Sequence, residues 1–269
     1  MLVASGQSYK IVTSIFLDAA KVSRLRIPFS MHRLFNEFLG TFFLMFTIAV
    51  AAVYGRAGEY APLAIGFTLT AMVYAGGHIS KAHYNPAVSL AFLIRGCYIS
   101  TREMLNFILA QVGGAVVAVL IARTFFSGEA EVTPVEIDMW PALVGEFLFT
   151  FLLVWVIMNV ATAKANVGNQ FYGIAIGSSV VGGIYTVGII SLAIFNPAVA
   201  IGLAFMGKIS IADIWIPLVG SIVGAVAAST AFNKTKLASA CSTDEDTACP
   251  PIEGRDSLEK SSPSKSCCD

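Results

Sequence analysis

Apolar residues along the chain come in long blocks rather than in the alternating or amphipathic patterns of a soluble domain. Six blocks are candidate bilayer spans, each of which takes about 20 helical residues; the second is short unless its helix continues toward Gly77. They run approximately Leu34–Tyr54, Ala61–Ala75, Met104–Phe125, Trp140–Ala161, Phe171–Ile189 and Ile211–Phe232. Two further blocks, Pro86–Ile94 and Pro197–Met206, are too short to span. Short apolar helices of this length are expected as re-entrant segments, buried among the spans. The pattern predicts an all-α membrane protein: six transmembrane helices plus two re-entrant half-helices.

Composition agrees. Of 269 residues, 56% are hydrophobic and only 13% charged, against about 25% charged in an average soluble domain. Net charge is zero, so the basic face that nucleic-acid binding requires is not expected. Residues 1–33 form a basic N-terminal tail with a short apolar patch, Ile11–Leu17, expected to lie on the membrane rather than to be a cleaved leader. Residues 34–232 form the membrane domain. Residues 233–269 are polar and predicted to be disordered. Fourteen of the 17 Lys and Arg residues fall on one side if both termini are cytoplasmic. Of the five cysteines, four (Cys241, Cys249, Cys267, Cys268) lie in the tail, and none shows a metal-ligand spacing. Cys-Cys-Asp at the end does not match a prenylation box.

The chain repeats itself. Glu37-Phe38-Leu39-Gly40-Thr41-Phe42 opens the first span and Glu146-Phe147-Leu148-Phe149-Thr150-Phe151 the fourth. Asn85-Pro86-Ala87-Val88 follows in one half and Asn196-Pro197-Ala198-Val199 in the other. The repeats, about 34–125 and 140–232, hold three spans each, so the second must enter from the opposite face: an inverted internal repeat. Asn is a strong N-cap and Pro suits the first helical position. Each Asn-Pro therefore predicts a helix start, and inversion brings the two starts together near the midplane. Two positive helix ends and two amide donors at one point would hold a neutral polar molecule and repel cations. No nucleophile–base constellation stands out, so no enzyme activity or cofactor is expected.

These motifs resemble the aquaporin/major intrinsic protein family. Gly77-His78-Ile79-Ser80, Ala110-Gln111-Val112-Gly113-Gly114-Ala115 and Pro217-Leu218-Val219-Gly220 match it as well. The resemblance covers about Met31 to Phe232 and implies a right-handed bundle, a pore for water or small neutral solutes in each protomer, and a homotetramer in the lipid bilayer. It implies that Glu37 and Glu146 brace the re-entrant loops, that His78 lies near the cytoplasmic mouth as a gating candidate, and that Ile65, Ile184, Ala193 and Val199 line an outer constriction. At the place of Val199 the family usually carries an arginine. An apolar ring without it is expected to be wider, favouring less polar or larger solutes such as ammonia, urea and glycerol. Two other readings stay open: a secondary transporter, because inverted repeats and broken helices also serve those, and a non-conducting junction or scaffold protein. The plasma membrane and internal membranes fit equally.

Overall fold

In the computed structural model, residues 29–96 and 98–235 are described. The first 28 residues, Cys97 and the C-terminal tail with its four cysteines, on which several expectations above fall, lie outside them.

All regular structure among the described residues is helical. Helix α1 (Phe29–Thr47) continues as a π-helix (Ile48–Val53). Then come α2 (Ala61–Ser80), the short α3 (Pro86–Arg95), α4 (Thr101–Phe125), α5 (Met139–Thr162), α6 (Tyr172–Ser191), the short α7 (Pro197–Met206) and α8 (Trp215–Asn233). Six of these are long and apolar enough to cross a membrane; α3 and α7 are not. Helices α1–α4 and α5–α8 are the two halves of the inverted repeat.

Three boundaries differ from the sequence reading by four residues or more, the first two for tertiary reasons and the third for a local one. The first helix begins at Phe29, before the charged Arg33, because that guanidinium pairs with Glu103 on α4 and lies 5.2 Å over the Phe107 ring. Helix α2 runs on to Ser80 through two glycines, held where Asn36 donates to the Gly76 carbonyl and the Ser80 hydroxyl at 3.3 and 2.7 Å. The last helix starts at Trp215 rather than Ile211; residues 211–214 form turns, with the Ala212 N–H bonded to the Ser210 hydroxyl.

The halves pack alike. Helix α1 lies against α4 where a Cβ on Gly114 would stand 2.3 Å from the Phe38 carbonyl oxygen. Helix α5 lies against α8 where a Cβ on Gly224 would stand 2.5 Å from the Phe147 carbonyl oxygen. Phe38 and Phe147 each follow the repeated glutamate. Close backbone approach through small residues is the usual way helices associate in lipid. Gly114→Ala is therefore expected to force the pair apart and cost about 1–3 kcal/mol. Gly113→Ala, whose added methyl would meet nothing nearer than 3.8 Å, should be neutral or slightly stabilising. Thermal unfolding of the two variants in detergent checks this.

The half-helices cross between the repeats: α3 packs on α8 and α7 on α4. The Ser229 hydroxyl of α8 donates to the Ala91 carbonyl of α3 at 2.8 Å. Both short helices are thereby enclosed, as non-spanning backbone at membrane depth must be.

Candidate functional site

Each half-helix is reached by a turn that bends against the normal preference of L-residues. Lys81, Ala82 and Tyr84 have φ of 71°, 53° and 50°; Leu192, Ala193 and Phe195 have 67°, 49° and 52°. Left-handed backbone costs a non-glycine residue roughly 1–2 kcal/mol, so something must hold these turns. In the first, the buried Glu37 carboxylate accepts the His83 and Tyr84 N–H groups at 3.0 and 2.7 Å, the Gln111 amide at 2.8 Å and the Ser80 hydroxyl. In the second, Glu146 accepts Ile194 and Phe195 N–H groups at 2.8 and 2.7 Å and the Ser191 hydroxyl at 2.8 Å. Both carboxylates are fully buried. They supply the acceptors that lipid cannot offer.

Tyr84 adds a second tie that its counterpart Phe195 has no group to make. Its hydroxyl donates to the Met72 carbonyl at 2.9 Å and accepts from the Asn36 amide at 3.1 Å. The ring fits only because Gly40 and Gly76 have no side chain: a Cβ on either would stand 2.1 or 1.9 Å from Tyr84. Tyr84→Phe keeps the packing and removes only the hydroxyl. It is expected to lower stability by about 1–2 kcal/mol, read as a lower unfolding midpoint with the size-exclusion profile unchanged.

After each turn the Asn begins its helix. Asn85 and Asn196 have extended backbone (φ −158° and −151°), with Pro next. Their side-chain oxygens accept Ala87 and Ala198 N–H groups at 2.8 and 3.0 Å. The amide nitrogens bond across the repeat: Asn85 donates to the Phe195 carbonyl at 2.8 Å, and Asn196 to the Tyr84 carbonyl at 2.9 Å. The N-termini of α3 and α7 are thus tied back to back. Each amide keeps a second N–H beyond this crossed pair, and both Asn residues face one cavity.

That cavity, of about 110 Å³, runs between the halves. Ile65, Ile184, Ala193 and Val199 all line it. His83 lines it too, its ring stacked 4.2 Å from Phe92 and its Nδ1 3.1 Å from the Ser89 hydroxyl. His78 is exposed on the last turn of α2 and is not part of the lining. Among the described residues no cluster of His, Cys, Asp or Glu could hold a metal ion.

Sequence reading missed the wall supplied by the first and fourth spans. Leu44 and Ile48 on α1 and its π-helix, and Leu153 and Ile157 on α5, line the cavity. Leu44 and Leu153 stand seven residues after the repeated glutamates, Ile48 and Ile157 eleven after; aligning the halves on those glutamates would have found them. The π-helix has a local role here. Residues four apart in an α-helix drift by about 40° around the axis. The wider π turn (Tyr54 N–H to Ala49 carbonyl, 2.9 Å) reverses this drift. Leu44, Ile48 and Ala52 thereby all face the cavity.

Comparison with known proteins fits this architecture. Residues 24–232 match the family model described as Major intrinsic protein. The chain is 36% identical over 216 residues to aquaporin NIP1-1 of Zea mays, covering 77% of this chain and 75% of that one. It is 33% identical over 251 residues to nodulin-26 of Glycine max, covering 86% and 89%. Among solved structures, the aquaglyceroporin from Plasmodium falciparum shares the fold with a TM-score of 0.65 at 24% identity, over 77% of this chain and 96% of that one. The chain is an integral multi-pass membrane protein and belongs to the major intrinsic protein family, whose members are passive transmembrane channels for water and small solutes rather than enzymes.

Proposed function

We propose that this chain is a passive channel of broad neutral-solute range, conducting ammonia, urea and glycerol alongside water, through a constriction made by Ile65, Ile184, Ala193 and Val199. The observation that carries this reading is the composition of that part of the cavity wall. All four residues line the cavity, and none brings a side-chain donor or a charge. A water molecule there has only backbone groups to bond, so the ring offers water little advantage over a less polar solute.

Charged species are turned back deeper in. At the crossed Asn pair a permeating molecule meets two positive helix ends and two amide N–H donors. A neutral solute turns an oxygen or nitrogen lone pair toward them; a cation finds no compensating acceptor. Glu37 and Glu146 act here as braces that keep the donors aimed. The positive charges Lys81, Arg95, Arg102 and Lys164 at one end support a cytoplasmic location for that end and for both termini. His78, exposed at the same end on the last turn of α2, is the candidate for gating. Four protomers, each with its own pore, form the assembly.

Osmotic swelling and shrinking of proteoliposomes in glycerol, urea and sucrose gradients tests the reading. Glycerol and urea flux well above that of empty liposomes, with sucrose excluded, is expected. Fast water flux without solute flux overturns the broad-solute reading. No flux of any kind favours the non-conducting reading, in which an apolar ring dewets and closes.

A further inference from the structure

The two halves wall the cavity almost residue for residue. Counted from the nearer Asn, the constriction residues lie 20 before the first (Ile65), then 12 before, three before and three after the second (Ile184, Ala193, Val199). Exchanging the halves at the same offsets gives Ile176, Val73, Ala82 and Val88. All four also line the cavity. All four are buried, with Val73, Ala82, Val88 and Ile176 3%, 8%, 2% and 6% exposed, against 4%, 7% and 2% for Ile65, Ala193 and Val199; Ile184 of the first set is half-buried.

The equivalence is structural as well as numerical. Ala82 and Ala193 share the same left-handed backbone, with φ of 53° and 49°. The N–H groups next to them are held by the paired glutamates in the same way. Val88 and Val199 both sit on the first turn of a half-helix whose Asn cap has matching geometry. The two sets differ by one methylene, Val73 standing where the first set has Ile184.

We infer that the channel has a second constriction, formed by Val73, Ala82, Val88 and Ile176, on the opposite side of the Asn pair from the first and of nearly the same bore and polarity. This rests on the reading that Ile65, Ile184, Ala193 and Val199 filter solutes. An arginine at one end would make the two ends unlike. With Val199 in its place, the two-fold of the repeat is restored in the chemistry of the wall. A solute is then sorted twice, at two apolar rings, with the Asn donors between them. The largest solute admitted is set by both rings together.

The charge at the mouths breaks this symmetry. Leu192 lines the cavity four residues before the second Asn, and the equivalent position in the first half is the exposed Lys81. The rings are alike, and the approach to them is not.

The test narrows each ring by the same change, Ile65→Phe and Ile176→Phe, in the full-length protein reconstituted in liposomes. Channels that match the parent in size-exclusion profile and unfolding midpoint are compared for glycerol and water flux. Each substitution is expected to cut glycerol flux at least tenfold, with water flux reduced less. Val88→Leu, a smaller change on the same ring as Ile176, is expected to cut glycerol flux several-fold and serves if Ile176→Phe does not fold. Loss of glycerol flux in Ile65→Phe with parental flux in folded Ile176→Phe or Val88→Leu overturns the second ring while leaving the first intact. A parent that passes no glycerol refutes the broad-solute reading instead. The rings are then compared by water flux, where equal reductions support two constrictions and a reduction in Ile65→Phe alone refutes the second.

Discussion

Glu37→Ala is expected to be the most damaging single substitution in the chain, leaving little folded protein in the membrane. Four donors end on that one carboxylate: two backbone N–H groups, an amide and a hydroxyl. All are buried, and in a bilayer no water can take over. Each buried donor left without a partner costs about 1–3 kcal/mol. Gln111 also donates to the Ser89 hydroxyl at 3.0 Å and recovers part of this. The His83 and Tyr84 N–H groups, fixed in a left-handed turn, do not. The net loss is expected at about 3–5 kcal/mol, a large fraction of the about 5–15 kcal/mol that holds a typical domain together. Glu146→Ala removes three donors' acceptor and should be nearly as harmful. Glu37→Gln keeps one acceptor oxygen and should fall between. Yield of monodisperse protein in detergent and its thermal midpoint should rank parent, Glu37→Gln, Glu37→Ala. An alanine variant as stable as the parent would show that the turns hold themselves.

Val199→Arg is expected to have the largest effect on permeation without comparable loss of fold. Val199 is 2% exposed, packed into the wall on the first turn of α7. A long guanidinium there has one place to go, the cavity, where it narrows the ring and adds five fixed donors. Glycerol and urea flux should fall at least tenfold, a barrier increase of about 1.4 kcal/mol or more. Water, smaller and able to bond the guanidinium, should lose less. The ratio of water to glycerol permeability is the informative readout, because a partly misfolded sample lowers both alike. An unchanged ratio in folded protein would place the filter elsewhere.

Much of this architecture is legible in the chain because lipid simplifies the code. Spans must be long, apolar and helical, and the two Asn-Pro steps could only begin helices too short to cross. The inversion follows from three spans per half. Boundaries were less legible, and the reasons are contacts between distant residues. Arg33 stays in a helix because Glu103, 70 positions on, neutralises it. Ser80 ends α2 because Asn36 reaches across to it. Tyr84 lies outside every motif of the sequence, yet its hydroxyl and its two facing glycines show that it locks the first turn. The cavity wall from α1 and α5 was hidden for another reason. Leu44, Ile48, Leu153 and Ile157 look like ordinary lipid-facing residues in an apolar block. Only the packing directs them inward, and a π turn that no local sequence rule requires brings Ala52 to the same wall.

The central claim is that neutral solutes pass through an uncoupled pore between two tied half-helices. The most direct test follows glycerol flux into proteoliposomes across a range of glycerol concentrations, with and without imposed proton and sodium gradients. The account predicts a rate that rises in proportion to concentration, is indifferent to either gradient, and is accompanied by no ion current. Saturation at low glycerol, or flux that follows a proton or sodium gradient, would contradict it and point to a transporter.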